Sequence, residues 1–320
     1  MELLNTLLST FGPSGREENI CDVIRKSAEE YADEVTTDAL GNLIVHKKGS
    51  GKRIMLAAHM DEIGIVVTFI DDKGFLKFQP VGGLNKKDLL YRRVEFKNGC
   101  VGIIGSEPEN KDSLYNNMYI DIGAKSREEA EEKVGVGDMA VFSGNMQMQG
   151  NKVISKALDN RIGCYCLLEV LARVKNENDL YFVFTVQEEV GLRGAKTSAY
   201  GINPDMAVAV DVTDTGDTPK ANEMAVSLGH GAAVKVMDSS VLCDSFVRTS
   251  LIECAKANNI KYQLEVMTEG GTDAGAISLT RSGVKTGGVS VPCRYIHSPA
   301  EMVDLDDVKA VIELLTAFII

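Results

Sequence analysis

Residues 54–61 read Ile-Met-Leu-Ala-Ala-His-Met-Asp, an unbroken apolar run that ends on an imidazole and, two residues later, a carboxylate. A solid apolar run this short fits a strand buried on both faces, the habit of parallel sheets covered by helices. Three further segments repeat the pattern. Residues 181–186 (YFVFTV) lead into Gln187-Glu188-Glu189, 206–210 (MAVAV) into Asp211, and 287–291 (GGVSV) into a stretch that reaches His297. A fifth polar group, Asp159-Asn160-Arg161, opens an amphipathic helical pattern over 161–174. In open α/β sheets, functional groups collect in the crevice beyond the carboxyl ends of the strands. The segments therefore predict an α/β domain with His59, Asp159, Glu188, Glu189, Asp211 and His297 along one edge.

Toward the N-terminus, Ser14 and Glu17 have capping-box spacing, and Ile20, Val23, Ile24, Ala28 and Tyr31 follow it with helical spacing. Residues 42–46 (NLIVH) suggest another strand, and a last helix spans roughly 305–319. Between 66 and 155 the texture changes to short, alternating, glycine-rich segments with one helix near SREEAEEK. The simplest organisation is an α/β domain formed by 1–65 and 156–320, with a β-rich domain, 66–155, inserted at a loop, where insertion is best tolerated.

With 34 basic and 46 acidic residues the formal charge is −12, which makes nucleic acid and anionic membrane surfaces poor partners. No apolar run is long enough to span a membrane, and the first residues lack the basic segment of a signal peptide. Seven scattered cysteines without a C-x-x-C pair fit reduced thiols and a cytoplasmic protein. Cys164 and Cys166, on the 161–174 helix, read as packing residues.

An Asp or Glu after a strand is usually a turn or cap residue, and a lone histidine is often a satisfied core residue. The coincidence outweighs those readings: two of four histidines and three acidic segments fall on one edge. Imidazole and carboxylate ligands suit zinc, cobalt or manganese. The segments are too far apart in sequence for a local finger, so a fold must gather them around two divalent cations. Asp61 projects to the same side of an extended chain as His59, where it can orient the imidazole. His46 reads as a surface residue, and His230, between two glycines, as a loop residue.

These motifs closely resemble the family-42 metallopeptidases, the glutamyl or deblocking aminopeptidases that include the tetrahedral enzymes; some members are labelled endoglucanases. The likeness covers nearly the whole chain: GPSGRE at 12–17, AAHMDEIG at 57–64, ALDNRIG at 157–163, QEEVGLRGA at 187–195, AVDV at 209–212, GGTDAGAI at 270–277 and RYIHSPAEM at 294–302. The resemblance implies a three-layer α/β/α di-metal aminopeptidase domain with an inserted PDZ-like or barrel dimerisation domain. It also implies His59 and Asp211 on one metal, Glu189 and His297 on the other, Asp159 bridging, Glu188 as general base and Asp61 as support for His59. The metal-bridging water would be the nucleophile, and dimers would assemble into a tetrahedral dodecamer. One departure is Leu228-Gly229-His230-Gly231-Ala232-Ala233, where the family pattern leads one to expect a glycine-proline loop.

Three other classes compete. A related di-metal amidohydrolase (a deacylase or carboxypeptidase) would differ only in the pocket that reads the substrate's end. An endoglucanase needs two carboxyls placed across a sugar, which adjacency of Glu188 and Glu189 does not supply, and the chain has no Trp for stacking. A non-catalytic peptide-binding protein would have no use for Glu188.

Overall fold

The computed structural model describes residues 1–107, 115–175, 177–221 and 223–319. The apolar run at 54–58 lies within the strand Arg53–His59, buried from Ile54 onward. Successive side chains point to opposite faces of a strand. Ile54, Leu56 and Ala58 accordingly join a core with the helices Leu158–Arg173 and Leu305–Phe318, while Met55 and Ala57 join a second core with Arg193–Ile202 and Asp273–Ser278. Helices thus cover both faces of the sheet, and the architecture is the three-layer α/β/α expected.

Among the described residues the main sheet has 11 strands. At its centre lie four parallel strands in the order Asp179–Thr185, Arg53–His59, Met206–Thr213, Lys285–Arg294. Their register sets Thr185 beside His59, and Ala209 beside both Ala57 and Gly288. The carboxyl ends of all four therefore open onto one edge. Leu43–Lys47 and Glu34–Thr37 flank this centre on one side. Glu301–Asp304, Lys152–Ser155 and Gln147–Gln149 flank it on the other.

The intervening segment closes into a six-stranded barrel: Gly64–Ile70, Leu76–Val81, Met118–Asp121, Val101–Ser106, Arg93–Phe96 and Met139–Phe142. Closure removes free sheet edges. Val67, Phe78, Ile104, Ile120 and Phe142 fill its interior. The helix Arg127–Glu131 begins where Ser126 accepts the Glu129 N–H, and it adds Ala130 to that core. Residues 147–149 and 152–155, on the C-terminal side of the β-rich stretch, hydrogen-bond to the large sheet and not to the barrel.

Three local expectations are corrected. The helix Leu158–Arg173 is buried on nearly every side, not amphipathic, because it is sandwiched between the sheet and the helices Glu2–Ser9, Glu18–Ala28 and Leu305–Phe318. Ser14 and Glu17 form no capping box: the helix Glu18–Ala28 has no side-chain cap, and both residues turn to the site described below. His46 is half-buried, stacked on Tyr181 with ring centroids 4.1 Å apart and with Nε2 2.6 Å from Asp179 Oδ1. His230 is a loop residue whose Nδ1 lies 3.0 Å from the Leu228 carbonyl. Cys164 and Cys166 are core residues. Among the described residues no helix is long and apolar enough to cross a membrane.

Candidate metal centre

Five segments reach the open edge of the parallel strands. His59 is the last residue of its strand, and Asp211 lies within Met206–Thr213. Glu188 and Glu189 follow Asp179–Thr185 after Gln187, which takes a left-handed φ of 54°. Asp159 sits in the first turn of Leu158–Arg173 with φ/ψ of −77°/109°, so its backbone leaves the helical path there. His297 follows Lys285–Arg294 with a left-handed φ of 62°.

All seven residues singled out in the sequence come together. His59 Nε2 lies 3.1 Å from Asp159 Oδ1, 3.6 Å from Asp211 Oδ1 and 3.9 Å from Glu188 Oε2. His297 Nε2 lies 3.2 Å from Asp159 Oδ2 and 3.1 Å from Glu189 Oε2. Asp159 therefore offers one oxygen to each imidazole. Ligand atoms of His59, Asp159 and Glu189 fall within 4.8 Å of one another, as do those of His59, Glu188 and Asp211.

Asp61 is buried beside them, and its backbone carbonyl lies 3.2 Å from His59 Nδ1. Its Oδ1 lies 3.5 Å from His59 Nδ1 and accepts the Glu188 N–H at 3.1 Å. Its Oδ2 accepts the Glu189 N–H at 3.3 Å and the Ser14 hydroxyl at 2.6 Å. Glu301 was not legible in the sequence. Its Oε1 accepts the His297 N–H at 2.9 Å and its Oε2 the Asp159 N–H at 3.0 Å, so one buried carboxylate fixes the backbone of two site residues. No local pattern marks it, since Asp159 is brought near only by folding, 142 residues away, and the His297 amide alone looks like an ordinary turn contact. Glu17 was likewise read as a cap. Its Oε1 accepts N–H groups from Gly15 at 2.7 Å and Gln187 at 3.1 Å, tying the N-terminal loop to the Glu188 turn.

Burial lifts the carboxyls of Glu188, Glu189 and Asp211 above their ordinary range. For His297, burial pulls the pKa down, but the charge of Glu189 and hydrogen bonds with Asp159 and Glu189 outweigh it and push it up to about 12. His59 follows the same logic: burial opposes protonation, yet Glu188, Asp159 and Asp211 carry it well above its usual value. Asp61 is held low because His59, Ser14 and the Glu188 amide overcome its burial.

So many acids in one buried place are unfavourable without compensating positive charge. Glu189 Oε1 is buried and has no hydrogen-bond partner among the described residues. Imidazole nitrogens and carboxylate oxygens, with one carboxylate split between two histidines, form a donor set that fits a pair of divalent first-row cations.

A family model described as M42 glutamyl aminopeptidase matches residues 41–314. A relative from Acetivibrio thermocellus, named as an aminopeptidase, is 52% identical over 98% of this chain and 96% of its own. Among solved structures, aminopeptidase APDkam598 from Desulfurococcus kamchatkensis superposes with a TM-score of 0.96 at 42% identity, covering 99% of this chain and 93% of that one. The Pyrococcus horikoshii TET1 peptidase, described as able to assemble into a tetrahedron or a large octahedral shell, matches with a TM-score of 0.89 at 36% identity, over 99% and 98% of the two chains.

Proposed function

The chain belongs to the M42 glutamyl aminopeptidase family, and from that premise we propose that it is a di-metal aminopeptidase that removes N-terminal residues from peptides. The observation that carries this reading is the split of Asp159 between His59 and His297, at 3.1 Å and 3.2 Å. His59, Asp159 and Asp211 would hold one cation, and His297, Asp159 and Glu189 the other. Each cation then has three protein ligands and keeps room for substrate, as catalytic sites do. Zinc or cobalt suits these donors best, with manganese next. When bound, the cations polarise the scissile carbonyl and make the attacking water more acidic.

Glu188 lines the cavity and is not needed as a ligand in this assignment. It accepts the proton of the attacking water and returns it to the leaving amine. Burial strengthens its hold on a proton, which suits the first transfer, from the water to Glu188. Asp61 keeps Glu188 and Glu189 in place through their amides. Glu188→Gln tests the role: turnover of an aminoacyl amide is expected to fall about 10²–10⁴-fold with both metals retained, and near-normal turnover would refute it. Chelation of the native protein should abolish the same cleavage, and cobalt or zinc should restore it. Parallel incubation with soluble cellulose separates this reading from an endoglucanase.

We further propose that copies associate through the barrel, forming dimers that build a tetrahedral dodecamer. Supporting this, Val101 and Ile103 stand 47% and 48% exposed on one barrel strand, and Tyr91 is 77% exposed nearby. All seven cysteines are free, which supports a reducing, cytoplasmic setting.

A further inference from the structure

Resting on the aminopeptidase reading above, we infer that the site takes peptides whose N-terminal residue has a positively charged side chain, selected by Asp214 and Glu269. The cavity beside the candidate metal centre has a volume of about 530 Å³. Asp159, Glu188, Glu189 and Asp211 line it and are accounted for by the proposed ligands and general base. Asp214 and Glu269 line it too and are not. Asp214 follows the strand Met206–Thr213, whereas Glu269 lies between the strand Tyr262–Val266 and the helix Asp273–Ser278. Two separate segments thus each bring a spare carboxylate to the cavity. Among the described residues neither has a hydrogen-bond or ion-pair partner, and no Lys or Arg lines the cavity.

Every aminopeptidase substrate carries one α-ammonium group, which can occupy one spare carboxylate. The second is surplus unless the side chain is also cationic. A Glu side chain would meet two like charges with no Lys or Arg in the lining to offset them, and a Leu side chain would desolvate a carboxylate without pairing it. Met267, Val212 and Ile296 supply an apolar wall for the methylene stem of a Lys or Arg. Both carboxylates remain open to water, so selection of about tenfold is expected, as for a solvated charge-assisted contact.

The test uses the full-length, metal-loaded protein with the aminoacyl amides of Lys, Arg, Leu and Glu, alongside calorimetric binding of free L-lysine and L-leucine. The expected result is a kcat/KM for Lys and Arg at least about tenfold above Leu and Glu. Of Glu269→Gln and Asp214→Asn, the variant that removes the side-chain partner should lower the Lys-to-Leu ratio about tenfold, while the other, at the α-ammonium, lowers every substrate alike; Glu269→Lys should raise the Glu-to-Lys ratio, a gain that mere damage cannot produce. Preference for Leu or Glu, or a Lys-to-Leu ratio unchanged in both variants, overturns the inference while leaving the peptidase reading intact. If no amide is cleaved yet lysine binds more tightly than leucine and Glu269→Gln removes the difference, the peptidase reading fails and the charge-selective pocket stands. Absence of both cleavage and preferential binding overturns both.

Discussion

Glu301 and Glu17 show how single carboxylates away from the proposed chemistry set its geometry. Glu301 accepts the amides of Asp159 and His297 with separate oxygens. Replacing it with Gln turns one acceptor toward an N–H as a donor, which displaces the backbone under one of the two site residues. Metal affinity is expected to fall about 10–100-fold, the usual scale for groups that orient ligands. Chelator competition measures it, and excess metal should restore turnover. Glu17 gives a pH signature. Burial raises its pKa from 4.5 to about 7. The folded state therefore binds the proton more tightly than the unfolded chain. The stability this contributes is fully present below pH 4.5 and lost as pH rises through about 7. Both amides approach Oε1, which Glu17→Gln retains. The variant should match the wild type near pH 4 and exceed it above pH 7 by on the order of 2 kcal/mol, read as the difference between denaturation curves at each pH.

Between strand and helix, tight packing fixes where the turn that carries Glu188 stands. The helix Arg193–Ile202 begins against the end of the strand that delivers Glu188, and Gly194 is the point of contact. A Cβ there would lie 2.2 Å from Asn42 Oδ1 and 2.5 Å from the Val186 carbonyl oxygen. Backbone cannot yield as a flexible side chain does, so Gly194→Ala should destabilise the fold by about 1–3 kcal/mol and lower turnover through the shifted 187–189 turn. Denaturant midpoints and aminoacyl-amide kinetics together check this. A loss of stability without any kinetic effect would show that the turn is positioned from elsewhere.

At the level of the whole molecule, the barrel and the α/β sheet have separate cores. The barrel's strands close on themselves with their own core, leaving Val101 and Ile103 facing outward. The double variant Val101→Glu/Ile103→Glu places two charges on that face and should reduce the assembled mass seen by analytical ultracentrifugation. The barrel interior should be untouched, because Gly102 and Ile104 point the other way. An unchanged mass would move the association surface off this strand.

The parallel core, the two helical layers and the polar strand ends followed from the sequence alone, because a strand buried on both faces must be apolar throughout and a site at its carboxyl end must interrupt that run. His59, Glu188, Glu189, Asp211 and His297 were visible for that reason, and Asp159 as the polar opening of a helical pattern. Folding alone decided what holds them. Ser14 serves Asp61 instead of a helix end, Glu17 supports the Gln187 turn, and Glu301 grips amides 142 and 4 residues away. Hydrogen bonds between distant segments leave no periodicity in a chain, so only the assembled structure reveals them.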